Sequence, residues 1–160
     1  LPANFVYMYS KQEASILKHQ FWTSFGLYMN PLLSSEGEKI NWVNYKTGEK
    51  NIRFKMHADN KAAYTAIVLN HKDAGIRELY FEQLFELKNV MDKTLPGSWQ
   101  WLLNSEDENG QPVSIVYDEI EGVSIFNKQD WPKLISFFKP RIIALDEFWN
   151  MVKYSFDSLK

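Results

Sequence analysis

The chain has 160 residues, 18 basic against 20 acidic side chains for a net charge of −2, 45% hydrophobic residues and no cysteine. This excludes disulfides, thiolate metal sites and cysteine nucleophiles, and it leaves no global basic field to draw in nucleic acid. No run approaches the ~18 apolar residues of a membrane span, and the first residues lack the basic-then-apolar form of a signal peptide. A cytoplasmic protein without membrane association is therefore expected, with residues 1–8 as a tail and 9–160 as a single domain.

Ser10-Lys11-Gln12-Glu13 has the form of a capping box. Behind it Ala14, Leu17, Phe21, Phe25 and Tyr28 recur at helical spacing, and Pro31 ends that helix. A polar loop around Gly37 leads to three strand-like runs. Ile40–Tyr45 is the first, closed by a Thr47-Gly48 turn. Asn51–His57 alternates, with Ile52, Phe54 and Met56 on one face and Arg53, Lys55 and His57 on the other. After an Asp59-Asn60 turn, Ala62–Leu69 is apolar enough for a central strand.

Asp73 or Asn70 can cap a long helix reaching about Lys93, striped by Ile76, Tyr80, Leu84, Leu87 and Met91 and stopped by Pro96-Gly97. Trp99, Trp101 and Leu103 share one face of the next strand. Asn109-Gly110 is a hairpin signal before the partner strand Val113–Ile120, and Val123–Phe126 reads as a short further strand. Asp130 is placed to cap a helix with Pro132 in its first turn. Pro140 should kink or restart that helix, and a last helix runs to about Phe156. The order α-βββ-α-ββ(β)-α-α predicts one α+β domain, a mainly antiparallel sheet of about five strands with helices packed on it.

The helix, three strands, helix, strand order also occurs in restriction-endonuclease-like cores. Those enzymes hold a metal between an acid near the second strand and an acid-x-Lys on the third. Asp59 stands just past the second strand, but Ala62–Leu69 has no acid, and the clear short match, Glu86-Leu87-Lys88, falls on a helix. His19, His57 and His71 form no metal-ligand spacing. Glycines are scattered without a phosphate loop, and no GxSxG elbow occurs. No catalytic residue and no metal ligand is assigned from the sequence, and no cofactor is expected.

The most suggestive constellation is Arg53, Lys55, His57 and Lys61. Alternate basic side chains on one strand face would track a phosphate backbone, with Tyr45, Tyr64 or Trp101 placed to stack on bases. The competing reading is a solvated face neutralised by acids of a neighbouring strand, such as Asp118 or Glu119, and the acidic total favours it. Glu82, Glu86, Asp146 and Glu147 read as solvated helical acids with basic neighbours. The six tryptophans read as core or core-edge residues.

Several stretches carry a further signal: Tyr9-Ser10-Lys11, Phe21-Trp22-Thr23-Ser24-Phe25-Gly26, the run from Lys39 to Gly48, Glu121 to Asn127, and Phe137-Phe138-Lys139-Pro140-Arg141. Through them the chain, from Tyr9 to about Phe156, resembles a bacterial family defined only as domain of unknown function 4268. The resemblance implies a domain found both alone and at the C-terminus of longer proteins, some with nuclease-like N-terminal regions. It implies no catalytic residues, and the chain has the stand-alone size.

The reading preferred from the sequence is a non-catalytic interaction or accessory module that binds a protein partner or nucleic acid. A metal-dependent phosphodiesterase using Asp59 with Glu13 or Glu36 is the first alternative. A self-associating homodimer built on Phe138, Phe148 and Tyr154 is the second.

Overall fold

A computed structural model describes residues 10–160. The tail predicted over residues 1–8 lies outside the described residues. Helix α1 (Lys11–Met29) starts where expected: the Ser10 hydroxyl accepts from the Glu13 amide and donates to the Glu13 carboxylate, both at 3.1 Å. It buries Phe21, Phe25 and Met29. After a long loop come β1 (Ile52–Ala58) and β2 (Ala62–Leu69), then α2 (Ala74–Glu86), α3 (Lys88–Thr94), β3 (Gln100–Glu106), β4 (Pro112–Glu121) and α4 (Trp131–Val152). Short 3-10 helices precede and follow α4 at Lys128–Asp130 and Lys153–Leu159.

The four strands pair antiparallel in the order β1-β2-β4-β3, so β2 is central, as its apolar sequence requires. Register fixes two faces. Ile52, Phe54 and Ala58 of β1, Ala63, Ile67 and Leu69 of β2, and Val116 of β4 join one core with the helices. Its centre is α4, whose Leu134, Phe138, Leu145 and Phe148 have no solvent exposure. Aromatic rings knit it: Phe21 lies 5.5 Å from Trp131 edge-on, and Phe54 lies 6.0 Å from Trp149 edge-on. The opposite face holds only a small cluster of Ala66, Val68 and Val113 flanked by Tyr64, Ile115 and Tyr117, and no helix residue belongs to it.

The sheet has four strands among the described residues, where about five were expected. Ile40–Tyr45 is the main difference. That segment has no strand partner, and its apolar residues pack against the core instead. The Asn41 side chain accepts from the amides of Val43 and Asn44, which bends the chain. Trp42 is buried and donates its indole N–H to the Leu32 carbonyl at 3.0 Å. Val123–Phe126 is likewise a loop, held by the Ile125 amide on the Asp59 carbonyl and by the Trp131 indole on the Ile125 carbonyl.

Three helix expectations also change. The helix expected to reach Lys93 breaks at Leu87, whose amide bonds back to the carbonyls of Leu84 and Phe85. Pro140 lies inside one continuous α4. Pro140 and Ser136, whose carbonyl loses its helical donor, are both exposed, so water can serve that carbonyl while buried Phe137, Phe138 and Ile142 hold both halves in place. Asp130 makes no side-chain cap; its carboxylate takes the Ser124 amide at 2.9 Å and pins the preceding loop. Phe138 and Phe148 are fully buried, so of the three aromatics expected to form a dimer surface Tyr154 alone is exposed.

Two polar devices hold loops onto this core. Asp146, expected as a solvated acid, is 2% exposed in the middle of α4. One carboxylate oxygen accepts from the Ser35 amide at 2.7 Å, and the other accepts from the Tyr45 hydroxyl at 2.6 Å and the Asn150 amide at 3.2 Å. This ties the loop over residues 30–51 to α4, with the Trp149 indole on the Thr47 carbonyl at 2.7 Å as a second tether. The other device is the ion pair between Arg141 and Asp118 at 2.9 Å. Arg141 lies over the Phe137 ring, 4.2 Å from its centroid. Gly97, at φ +86°, lets the chain pass against this pair, and a Cβ there would run into the Asp118 carboxylate.

Gly97→Ala should therefore cost at least the roughly 1–3 kcal/mol of a strained backbone position, read from urea unfolding. An unchanged midpoint would remove the close approach from the account. Asp146→Ala should cost about 1–3 kcal/mol for each buried donor it strands. Burial, then the hydrogen bond to Asp146, hold the Tyr45 phenol far above its ordinary pKa. Because the folded value exceeds the unfolded one, that contribution is complete below about pH 10 and is lost as pH rises further. Wild-type stability should fall above that pH by up to about 1.4 kcal/mol per unit more steeply than that of Tyr45→Phe. Parallel pH profiles of the two proteins would contradict the linkage.

Candidate functional site

The sheet's helix-free face gathers the predicted basic residues. Arg53, Lys55 and His57 alternate along β1 on that face, and Lys61 stands in the β1–β2 turn beyond it. The neighbouring strands set their surroundings by register. Arg53 lies opposite Val68, which lies opposite Ile115; Lys55 opposite Ala66, opposite Tyr117; His57 opposite Tyr64, opposite Glu119. The Tyr64 ring packs 5.0 Å from the His57 ring.

The four residues share a region without acting as four equal cations. The β3–β4 hairpin leans across the face, and its Glu108 takes the Lys55 ammonium at 2.7 Å. Lys55 also lies 5.9 Å from the Tyr64 ring centroid. Burial opposes its charge, yet the Glu108 hydrogen bond and Tyr64 outweigh burial and hold the lysine pKa above its ordinary value. The same bond holds Glu108 below the usual carboxylate range. His57 is pushed down, first by burial and then by the Lys55 charge, with only partial relief from Asp59. Its imidazole is therefore largely neutral near pH 7, and its 3.9 Å approach to Asp59 is no ion pair there. Arg53 and Lys61 are exposed.

Below His57 and Tyr64 the face opens into a cleft of about 750 Å³. Its walls are the β1–β2 turn, the end of β4 and the loop over residues 121–127, which reaches back through the Gly122 and Val123 amides to the Lys61 carbonyl. Asp59 shapes the turn by accepting from the Lys61 and Ala62 amides, both at 2.9 Å. Burial raises its pKa, but these two amides and then His57 outweigh burial and leave it lowered. Asp59, Glu119, Glu121 and Asp130 all line the cleft against the single formal cation Lys61. Sequence reading weighs Asp59 and Glu119 at the site but takes Asp130 only as a helix cap and Glu121 only as part of a family stretch. Their convergence depends on β4 pairing with β2 and on a loop fold that no local pattern announces.

The other anticipated residues go elsewhere. Asp118 faces the helices with Arg141, so Glu119 is the acid that meets the basic row. Tyr45 is committed to Asp146, and Trp101 packs beneath the helices with Phe81 and Phe85. Glu13 bonds Ser10 at the start of α1, and Glu36 pairs with Lys153 at 2.9 Å. Among the described residues no group of three or more His, Asp or Glu side chains is placed to hold a metal ion. Among the same residues no helix is long and apolar enough to cross a membrane.

Fold and site together define an α+β domain with helices on one sheet face and a polar cleft at the end of the other. A family model described as "Domain of unknown function (DUF4268)" matches residues 17–153, and the chain belongs to that family. No curated protein and no solved structure matches it.

The electrostatics of the face can be checked at one nucleus. In an NMR titration His57 should ionise below the ordinary imidazole value, about 6.5. Lys55→Met should move that midpoint upward. A midpoint at or above the ordinary value, or one indifferent to Lys55, would contradict the described surroundings.

Proposed function

We propose that this domain is a non-catalytic binding module and that its ligand is a segment of a partner protein bearing basic side chains, taken at the cleft. The observation that carries this reading is the charge balance of the cleft: four carboxylates against one lysine, with His57 largely neutral. Two of the carboxylates, Asp59 and Asp130, are fixed by backbone amides. Glu119 and Glu121 are exposed and make no ion pair among the described residues. The cleft has the volume of a ligand site, and such a field favours a cation and repels phosphate.

A second reading, nucleic acid along β1, is favoured by the alternation of Arg53, Lys55 and His57 beside the Tyr64 and Tyr117 rings. It is the weaker one, because Glu108 neutralises Lys55 and His57 adds little charge.

Fluorescence anisotropy separates the two. The probes are a labelled oligolysine peptide, single-stranded DNA, duplex DNA and RNA, each at about 50 and 200 mM salt, where phosphate contacts reveal themselves. The peptide should bind and weaken with salt, and Glu119→Lys with Glu121→Lys should lower its affinity. The nucleic acids should not bind. Salt-sensitive DNA or RNA binding lost in Arg53→Ala or Lys61→Ala would overturn the protein-ligand reading in favour of the nucleic-acid one.

A further inference from the structure

Strand β3 is an edge of the sheet, and no other strand among the described residues pairs with its outer side. Its sequence, Gln-Trp-Leu-Leu-Asn-Ser-Glu, lacks the lysine or proline that commonly guards such edges, and a register shift between Leu102 and Ser105 is its one irregularity. Beside it α2 leaves a groove of about 370 Å³ lined by Phe81, Phe85 and Leu103. Phe81 and Phe85 both meet Trp101 of β3 edge-on, at 5.6 and 5.3 Å, yet Phe85 remains 54% exposed. On the other face of the same strand Leu102 is 41% exposed.

The rim of the groove has one sign. Glu78, Glu82 and Glu86 follow each other every four residues along α2, all exposed and without an ion pair among the described residues. Carboxylates at that interval are about 6 Å apart along a helix. Same-face side chains of an extended chain are about 6.6–6.8 Å apart. A row of lysines or arginines on one face of an added strand therefore matches the row of glutamates in spacing. Their aliphatic stems can cover Phe85 and Leu103 while the charged ends reach the rim.

We infer that the β3 edge takes an extended segment of a partner protein, added as a further strand, with basic residues toward α2 alternating with apolar residues toward Leu102. Main-chain bonds to β3 supply the affinity, and the groove and glutamate row supply the selection. An acidic segment or a nucleic acid is rejected by the same row. The groove and the cleft share no lining residue, so the two surfaces can be tested apart.

The test uses the whole chain and a fluorescein-labelled peptide of alternating lysine and valine between proline ends. One counterpart replaces lysine with glutamate, and another is N-methylated along one edge so that it cannot pair as a strand. The lysine peptide should bind at least about tenfold more tightly than either counterpart, a difference of about 1.4 kcal/mol. Glu82→Lys with Glu86→Lys, exposed changes whose fold is verified by circular dichroism and thermal melting, should reverse the preference for lysine over glutamate. Phe85→Ala should weaken binding, and Glu119→Lys with Glu121→Lys in the cleft should leave the preference for the lysine peptide over its N-methylated counterpart unchanged. Equal binding of the N-methylated peptide, indifference to the α2 charge reversal, or no binding at all would overturn the inference. So would a concentration-dependent dimer by sedimentation that the α2 reversal abolishes, since the occupant would then be a second copy of the chain.

Discussion

One-sided covering of the sheet is the constraint on which the rest of this structure depends. Every helix that packs on the four strands contributes to a single core, and α4 runs through the middle of it with its largest apolar side chains fully buried. The opposite face must then limit its own exposure. Ala66, Val68 and Val113 are buried there by flanking tyrosines, by Lys55 and by the leaning β3–β4 hairpin. Where that cover ends, the cleft begins. Where the helical layer ends, at the β3 edge, the apolar groove begins. Both proposed binding surfaces are thus boundaries of the packing arrangement.

The polar interactions fall into two kinds with different roles. The buried ones, Asp146 with Tyr45, Ser35 and Asn150, and Arg141 with Asp118, are closed sets whose members answer one another. They fix loops to the core, and removing one member strands another in a dry place. The surface acids of the cleft and of α2 are different: Glu119, Glu121, Glu78, Glu82 and Glu86 have no cationic partner among the described residues. Concentrated at two concave places on a chain of net charge −2, they favour a cationic partner at each.

Periodicity made much of this fold legible. Alternation in Asn51–His57 gave the face assignment of β1, and the apolar run Ala62–Leu69 is β2, residue for residue. The Asn109-Gly110 turn lies where expected, with Gly110 at φ +77° and its amide on the Asp107 carbonyl. What misled was an apolar run whose inward residues serve as anchors. Trp42 and Tyr45, three residues apart, are held inward by bonds to Leu32 and Asp146, so an apolar run resembles a strand in a segment that has no strand partner. Pro140 misled for the opposite reason, since packing on both sides of it outweighs a local break signal. The site was half legible. Arg53, Lys55 and His57 share a face as their spacing required, but the acids around them come from β4, from the hairpin tip and from the 3-10 helix before α4. Long-range register and loop closure placed those acids, and neither is written in a local window.

The central claim is that the cleft between the β1–β2 turn and the end of β4 is a surface for cationic protein segments. Backbone amide mapping of the isotope-labelled chain during titration with oligolysine tests it most directly. The account predicts shift changes concentrated at Asp59–Tyr64 and Glu119–Ser124, with the core helix α4 unmoved. Changes confined to other surfaces, or none at all, would contradict it.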